Sequence, residues 1–392
     1  MTPSARVQAA IEIVDLVIAS ARDEGPPADA IVQAYFKTRR YAGSKDRRAV
    51  RELVFRAIRR SGEPPASGRV ALIGLAGDDP DVAAAFDGSP HGPPRIGSRE
   101  KSAAPSLLPQ WIEHELSALV TADEWPALLD RAPLDLRINV ARTSRDAMVE
   151  AFEGAEATPL SPWGLRLPPD SRVTEHSAFT EGLAEVQDEG SQLIALACGA
   201  QAGQRIVDLC AGAGGKSLAL AAAAGGEAEI IACDTSRARL GKLPDRARRA
   251  GAAIATRLLN APREAEELLD LKGSADTVLV DAPCSGSGTW RRNPEGRWRL
   301  TQDRLGRVIA LQQRVLDLAE PLVKPGGTLI YAVCSLLTRE GADQVAGFLG
   351  RHSGWTVQDP LHDVGGWDGA GKLLTPAHDR TDGFFIARLA RS

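Results

Sequence analysis

At 392 residues the chain is long enough for two or three domains and a sizeable core. A net charge of −4 excludes a polybasic nucleic-acid coat and an acidic tail protein, so a polyanionic partner has to be met by a local patch. The five cysteines (Cys198, Cys210, Cys233, Cys284 and Cys334) form an odd set without a CxxC pair, which speaks against a disulfide framework or a zinc site, so no metal is expected and a reducing cytoplasm fits best.

Neither a basic-then-apolar leader nor an apolar run of about 18 residues is present, so neither an export signal nor a membrane span is expected. From Ala5 to Arg60 apolar residues recur at helical spacing, as in Val7, Ile11 and Val14, then Val50, Val54 and Ile58. This predicts an all-α domain over residues 1–100, linker included. Within it, residues 37–60 carry ten Lys or Arg against Asp46 and Glu52, a local balance of +8. A solvated helix face accounts for such a run; so does phosphate contact, with Arg47, Arg48 and Arg51 as candidates. The Gly, Pro and Ser-rich stretch from Asp87 to Ser98 reads as a linker or long surface loop.

A small α+β subdomain is expected over residues 101–183. It comprises a short helical stretch from Leu107 to Leu119, an alternating strand Leu134 to Asn139, a helix from Ser144, and strand-like pieces at Gly164 to Leu167 and Arg172-Val173. From residue 184 to 392 strands alternate with helices. Strands are expected at 205–209, 229–233, 255–258, 277–280 and 328–333, and helices at 216–223, 236–250, 303–322 and 340–350. This pattern specifies an α/β, Rossmann-like, doubly wound, mostly parallel sheet. The closing Phe384 to Arg388 could pair antiparallel at an edge.

The first of these strands runs into Asp208-Leu-Cys210-Ala211-Gly212-Ala213-Gly214-Gly215-Lys216-Ser217 and a helix. A Walker loop needs Gly where Cys210 stands, and a dinucleotide fingerprint begun at Gly212 needs Gly where Ser217 stands. What remains is a glycine turn at a helix start, with Asp234 at the end of the next strand placed to accept from ribose hydroxyls. An adenosine ligand without a pyrophosphate fits, and S-adenosylmethionine is one: its carboxylate can rest on the exposed amides, with Lys216 near it. An ordinary glycine turn and acid cap in a βαβ unit is the plainer alternative.

Cys284 and Cys334 each follow a strand, in Val278-Leu-Val-Asp281-Ala-Pro-Cys284-Ser-Gly-Ser-Gly-Thr289 and Thr328-Leu-Ile-Tyr-Ala-Val-Cys334-Ser335. Strand carboxyl ends are where such sheets hold ligands. A thiolate adding to carbon 6 of a pyrimidine makes carbon 5 electron-rich enough to take a methyl group. Asp281, if protonated or sharing a proton, could hold ring nitrogen 3 and stabilise the adduct, and the base would have to leave its stack. The residues alone do not say which thiol attacks. Beyond them, Trp290-Arg291-Arg292-Asn-Pro-Glu-Gly-Arg297-Trp298-Arg299 interleaves aromatics with arginines, which suits base stacking and phosphate contact as well as a core Trp with solvated Arg neighbours. Arg246, Arg248 and Arg249 read as plain surface charge.

From about Leu108 onward the chain resembles the Sun-type RNA cytosine-C5 methyltransferases, particularly the RsmB group. The resemblance rests on Gln187-Asp-Glu-Gly-Ser-Gln192, the Cys210 to Lys216 loop, the Asp281 to Thr289 motif with Arg291-Arg292-Asn293-Pro294, Tyr331-Ala-Val-Cys334-Ser335 and Asp382-Gly-Phe-Phe385. It implies that Cys334 forms a covalent adduct, Cys284 assists product release and Asp281 activates the base. It further implies S-adenosylmethionine contacts from Cys210, Ala211, Gly212, Ala213, Gly214, Gly215, Lys216, Asp234, Asn260 and Asp281. Two positions depart from the family: Ala213 stands where Pro is usual, and Asn260 where an acid is. The amino-terminal helices resemble the NusB-type RNA-binding domain, best at Asp46 to Phe55. The expected protein is a cytoplasmic monomer that methylates RNA, ribosomal before transfer RNA. A non-catalytic RNA-binding factor and an amino-group methyltransferase are the alternatives.

Overall fold

The computed structural model describes residues 1–23, 25–169 and 171–392. The chain divides into two compact units, one of residues 1–116, 121–130 and 289–304, the other of residues 117–120, 131–288 and 305–392.

The first unit is helical. Thr2 caps α1 (Pro3–Arg22) by accepting from the Ala5 N–H at 3.2 Å, and α1 buries Val7, Ala10, Val14 and Val17 along one stripe. Around it lie α2 (Ala28–Lys37), α3 (Ser44–Arg60), α4 (Gly68–Asp78) and α5 (Pro80–Ala84). The inner face of α3 is Val50, Val54, Phe55, Ala57 and Ile58; its arginines lie among the remaining positions. The segment Thr289–Arg304 belongs to this unit as well. Trp298 is part of the helical core, and its indole N–H donates to the Ser61 carbonyl at 2.8 Å.

The helix expected over 107–119 reduces to one 3₁₀ turn, Gln110–Ile112, next to Pro109. The helical spacing was real at the level of burial, because Leu108, Ile112 and Leu116 are all buried, but no continuous helix carries them. Arg172-Val173 likewise lies at a 3₁₀ turn, Val173–Glu175, instead of a strand.

In the second unit, β1 (Leu134–Ile138), β2 (Glu156–Ala157), β3 (Gly164–Leu167) and β4 (Ala184–Val186) form an antiparallel sheet in the order β2-β3-β1-β4. Ser144 caps the helix Arg145–Ala151 that packs on it. The main sheet is built from β5 (Arg205–Asp208), β6 (Glu229–Asp234), β7 (Ile254–Leu258), β8 (Ala275–Asp281) and β9 (Val323–Val333). They run parallel in the order β7-β6-β5-β8-β9. Val278, Leu279 and Val280 are fully buried, as expected for a central strand covered on both faces. The sheet is therefore the doubly wound α/β arrangement that the strand and helix alternation specifies.

Beyond β9 the direction reverses. β13 (Phe384–Arg391) pairs antiparallel with β9, as anticipated, but it is not an edge. β12 (Gly371–Leu374) and β11 (Gly366–Asp368) continue the sheet past it, and β10 (Trp355–Gln358) pairs with its other end. The helix expected at 236–250 is two pieces, Arg237–Leu240 and Leu243–Ala250, interrupted at Gly241 with Pro244 opening the second. Among the described residues no helix is long and apolar enough to cross a membrane.

Candidate active site

The strand order reverses direction between β5 and β8: from β5 the chain builds outward to β6 and β7, whereas β8 leads to β9 on the other side. The loops leaving these two strands part at their carboxyl ends and leave a crevice. β5 ends at Asp208, and the loop that follows enters the helix Gly215–Ala223 through Gly212 (φ 58°) and Gly214 (φ 80°). A Cβ on Gly214 would lie 2.1 Å from Leu243 Cδ1, so only glycine fits there. A Cβ on Gly212 would meet nothing within 4 Å; that side of the loop is open.

Asp234, at the end of β6 and 3% exposed, holds this loop from the neighbouring strand. Its Oδ2 accepts from the Gly212 N–H at 2.8 Å, and its Oδ1 from the Ser236 N–H at 2.6 Å and Arg239 Nη2 at 3.2 Å. From the outer side, Arg246 Nη1 donates to the Ala213 carbonyl at 2.6 Å and Arg137 Nη1 to the Gly215 carbonyl at 2.6 Å. Arg246 is thus more than the surface charge that its sequence context suggested. Arg137 gave no signal at all, being a lone arginine in an alternating strand; burial lowers its guanidinium to about 10.

The thiols meet because of strand register. Asp281 pairs with Ala332 across β8 and β9, so Cys284 and Cys334 follow the same level of the sheet by three and two residues. Their sulfurs are 3.1 Å apart. The hydrogen bond with Cys334, and after it burial, pushes the Cys284 thiol well above its ordinary value. Beside them Lys216 Nζ lies 2.7 Å from Asp281 Oδ2. Burial alone would lower the Lys216 ammonium, but the Asp281 charge outweighs it and the net shift is upward.

Glu340, fully buried, ties the two thiol loops together. Its carboxylate accepts from the Ser285 N–H at 2.8 Å, from Ser335 Oγ at 2.5 Å, from Gln312 Nε2 at 2.9 Å and from Ser285 Oγ. Ser285 and Ser335 are the residues that follow the two cysteines. In the sequence Glu340 is an acid ahead of a helix, and nothing in its neighbours reveals that four donors converge on it.

A cavity of about 560 Å³ opens between these groups, walled by Cys210 to Ala213, Asp234, Asp281 to Cys284 and Cys334, and completed by Thr235, Arg239, Leu259, Glu264, Leu311, Arg314, Val315 and Leu318. Its size suits a nucleoside-sized ligand, and it joins a buried acid, an open-sided glycine and two thiols. An adenosyl sulfonium compound fits this set. Gly214, Gly215, Lys216 and Asn260 are not part of the wall. Asn260 is exposed and bound to Glu267, its N–H to Oε2 at 2.8 Å and its Nδ2 to Oε1 at 2.9 Å.

The candidate RNA contacts belong to the helical unit. Arg47, Arg48 and Arg51 are exposed on α3, where Arg47 Nε donates to the Ala42 carbonyl at 2.8 Å and Arg51 pairs with Asp29 at 2.9 Å. Arg291 is buried and Arg292 half-buried. Trp290 and Trp298 are buried too, so neither indole face is presented to solvent.

Residues 195–390 match the family model for the 16S rRNA methyltransferase RsmB/F. The ribosomal RNA small subunit methyltransferase B of Salmonella paratyphi C is 33% identical over 299 residues, covering 74% of this chain and 68% of that protein, and the same holds for its namesake in Salmonella typhi. Among solved structures, PH0851 superposes over 99% of both chains with a TM-score of 0.79 at 24% identity. NSun6 from Pyrococcus horikoshii, solved with the S-adenosylmethionine analogue SFG, covers 68% of this chain and 92% of its own at a TM-score of 0.60 and 19% identity. These two likenesses are of fold.

Proposed function

The chain belongs to the 16S rRNA methyltransferase RsmB/F family, and from that premise we propose that it methylates carbon 5 of a cytosine in small-subunit ribosomal RNA through a covalent cysteine adduct. The methyl donor is S-adenosylmethionine, which supplies a methyl group activated by a sulfonium charge. In this reading Cys210 to Ala213, with the open side of Gly212, support it at the loop and Asp234 takes the ribose; that all of them line the cavity supports the assignment.

The observation that carries the reading is the pair of sulfurs 3.1 Å apart on that cavity. A methyltransferase acting on an amino nitrogen has no use for a thiol, since the nitrogen is already nucleophilic. Carbon 5 of cytosine needs one. In the proposed sequence the Cys334 thiolate adds to carbon 6, and the electron pair displaced toward carbon 5 makes that carbon the nucleophile. After methylation a base takes the carbon 5 proton, the carbon 6 to sulfur bond breaks, and the Cys334 thiolate is restored. The bond to Cys334 and burial both oppose a charge on Cys284. A thiol kept protonated suits the group assisting release, and Cys334 is the attacking sulfur that the family resemblance implies. Asp281 orients the ring by sharing a proton with its nitrogen 3, while Lys216 Nζ holds the Asp281 Oδ2.

The relatives are named for ribosomal RNA of the small subunit, which favours that substrate over transfer RNA. The test is methyl transfer from labelled S-adenosylmethionine to purified 16S ribosomal RNA, small subunits and bulk transfer RNA, with modified nucleosides separated by mass spectrometry. The expected product is 5-methylcytidine in 16S RNA. Product confined to transfer RNA would overturn the substrate, and a methyl group on nitrogen would overturn the chemistry.

A further inference from the structure

Asn260 is the position to which the resemblance gave a cofactor contact, yet its N–H and its Nδ2 are bound to Glu267 and it does not line the cavity. A different carboxylate does. Glu264, four residues on, is 4% exposed and forms part of the wall together with Asp234 and Leu259. Its Oε2 accepts from Arg314 Nη2 at 2.5 Å, and Arg314 also lines the cavity. A buried carboxylate aimed at a ligand space retains acceptor capacity after one such bond, because each carboxylate offers about four lone-pair sites.

We propose that Glu264, held in place by Arg314, reads the adenine of the methyl donor by accepting a hydrogen bond from its exocyclic amino group. Leu259 supplies apolar surface beside it, and Asp234 remains the acid on the ribose side. Asn260 takes no part. The carboxylate accepts but does not donate, so it favours a purine with an amino group at carbon 6 and repels one with a carbonyl there. The assignment rests on S-adenosylmethionine occupying the cavity and adds a specificity-determining residue to it.

Calorimetric titration of the full chain with S-adenosylhomocysteine and S-inosylhomocysteine tests this without any turnover. The wild type should prefer the adenosyl compound by roughly 10- to 100-fold, the penalty for facing an acceptor with an acceptor. Glu264→Gln, whose amide can also donate, should collapse that preference to within a few-fold. Glu264→Asp retains the charge that Arg314 needs but withdraws it by one methylene, and should also narrow the ratio; it serves if the glutamine variant folds poorly. Asn260→Ala should keep the wild-type ratio. A wild-type ratio preserved in both Glu264 variants, or lost in Asn260→Ala, overturns the assignment. If the wild type bound neither compound, the cofactor reading itself would fall and this one with it.

Discussion

Cys284 and Cys334 are 50 residues apart in the chain and 3.1 Å apart at their sulfurs. The contact follows from the parallel pairing of β8 with β9 and from Glu340, which binds the serine after each cysteine. On the proposed mechanism the two thiols divide one reaction between them, so their single substitutions should look different. Cys334→Ala should lower methyl transfer by on the order of 10³-fold or more and form no covalent complex with RNA. Cys284→Ala should accumulate a protein-RNA species that survives a denaturing gel. If the two variants gave the same gel pattern, the division of roles would be wrong.

Glu340 does not line the cavity and should act on turnover through the two thiol loops that it holds. Glu340→Ala leaves the donors on Ser285, Ser335 and Gln312 without their shared acceptor and loosens both thiol loops. Breaking such a buried network costs about 2–4 kcal/mol of stability. The turnover number should fall more than cofactor affinity does, as separate kinetic and calorimetric titrations would reveal. An unaltered urea midpoint would refute the clamp.

The Lys216–Asp281 ion pair lies beside the thiols, its side chains 11% and 30% exposed. Lys216→Met would leave Asp281 without its cation. Allowing for the partial exposure of Asp281, the loss should be about 1–3 kcal/mol, read from the denaturation midpoint. A variant as stable as the wild type would mean that water replaces the ammonium at no cost.

Asp208, under the glycine loop, is fully buried with Ser217 Oγ on its Oδ2 at 2.6 Å and no partner on Oδ1. Burial raises its carboxyl from 3.8 to about 7. The folded protein therefore retains this proton up to about pH 7, while the unfolded chain gives it up near pH 4. Between those values the native state binds more protons, so this residue makes stability fall as pH rises, by on the order of 4 kcal/mol at most. Asp208→Asn should flatten that slope. Urea midpoints at pH 5 and pH 8 measure it, and parallel wild-type and variant curves would show that Asp208 does not titrate in this range.

Trp298 sits among the helical core residues, with its indole N–H on the Ser61 carbonyl. Next to it, Arg297 donates to the Ile58 carbonyl at 2.8 Å, and burial lowers its guanidinium to about 9. Trp298→Ala should cost about 3–5 kcal/mol. Thermal melting checks it, and a shift of the melting temperature no larger than that of a surface control would return the residue to the role of an RNA-stacking platform.

The α/β class was legible because strands buried on both faces, such as β8, are apolar runs, and because helices alternate with them at their own period. The thiol positions were legible for the same reason: each cysteine follows directly on a strand, and strand ends are local events. The helix over 107–119 was misread because burial at every fourth residue is also satisfied by isolated turns around a proline. The antiparallel β13 was legible as a strand, but β11 and β12 beyond it are too short to carry a periodicity.

The sequence by itself determined which residue types end the strands: a glycine turn, three acids, two thiols. Those are properties of a few consecutive residues. Only the tertiary structure decided which of them face one another. Register placed Cys284 against Cys334, Glu340 joined two loops that share no sequence signal, and Glu267 took Asn260 away from the cavity and left Glu264 on its wall. Each is a pairing across tens of residues or a choice among neighbouring acids, fixed by packing and hydrogen-bond geometry that no local pattern encodes.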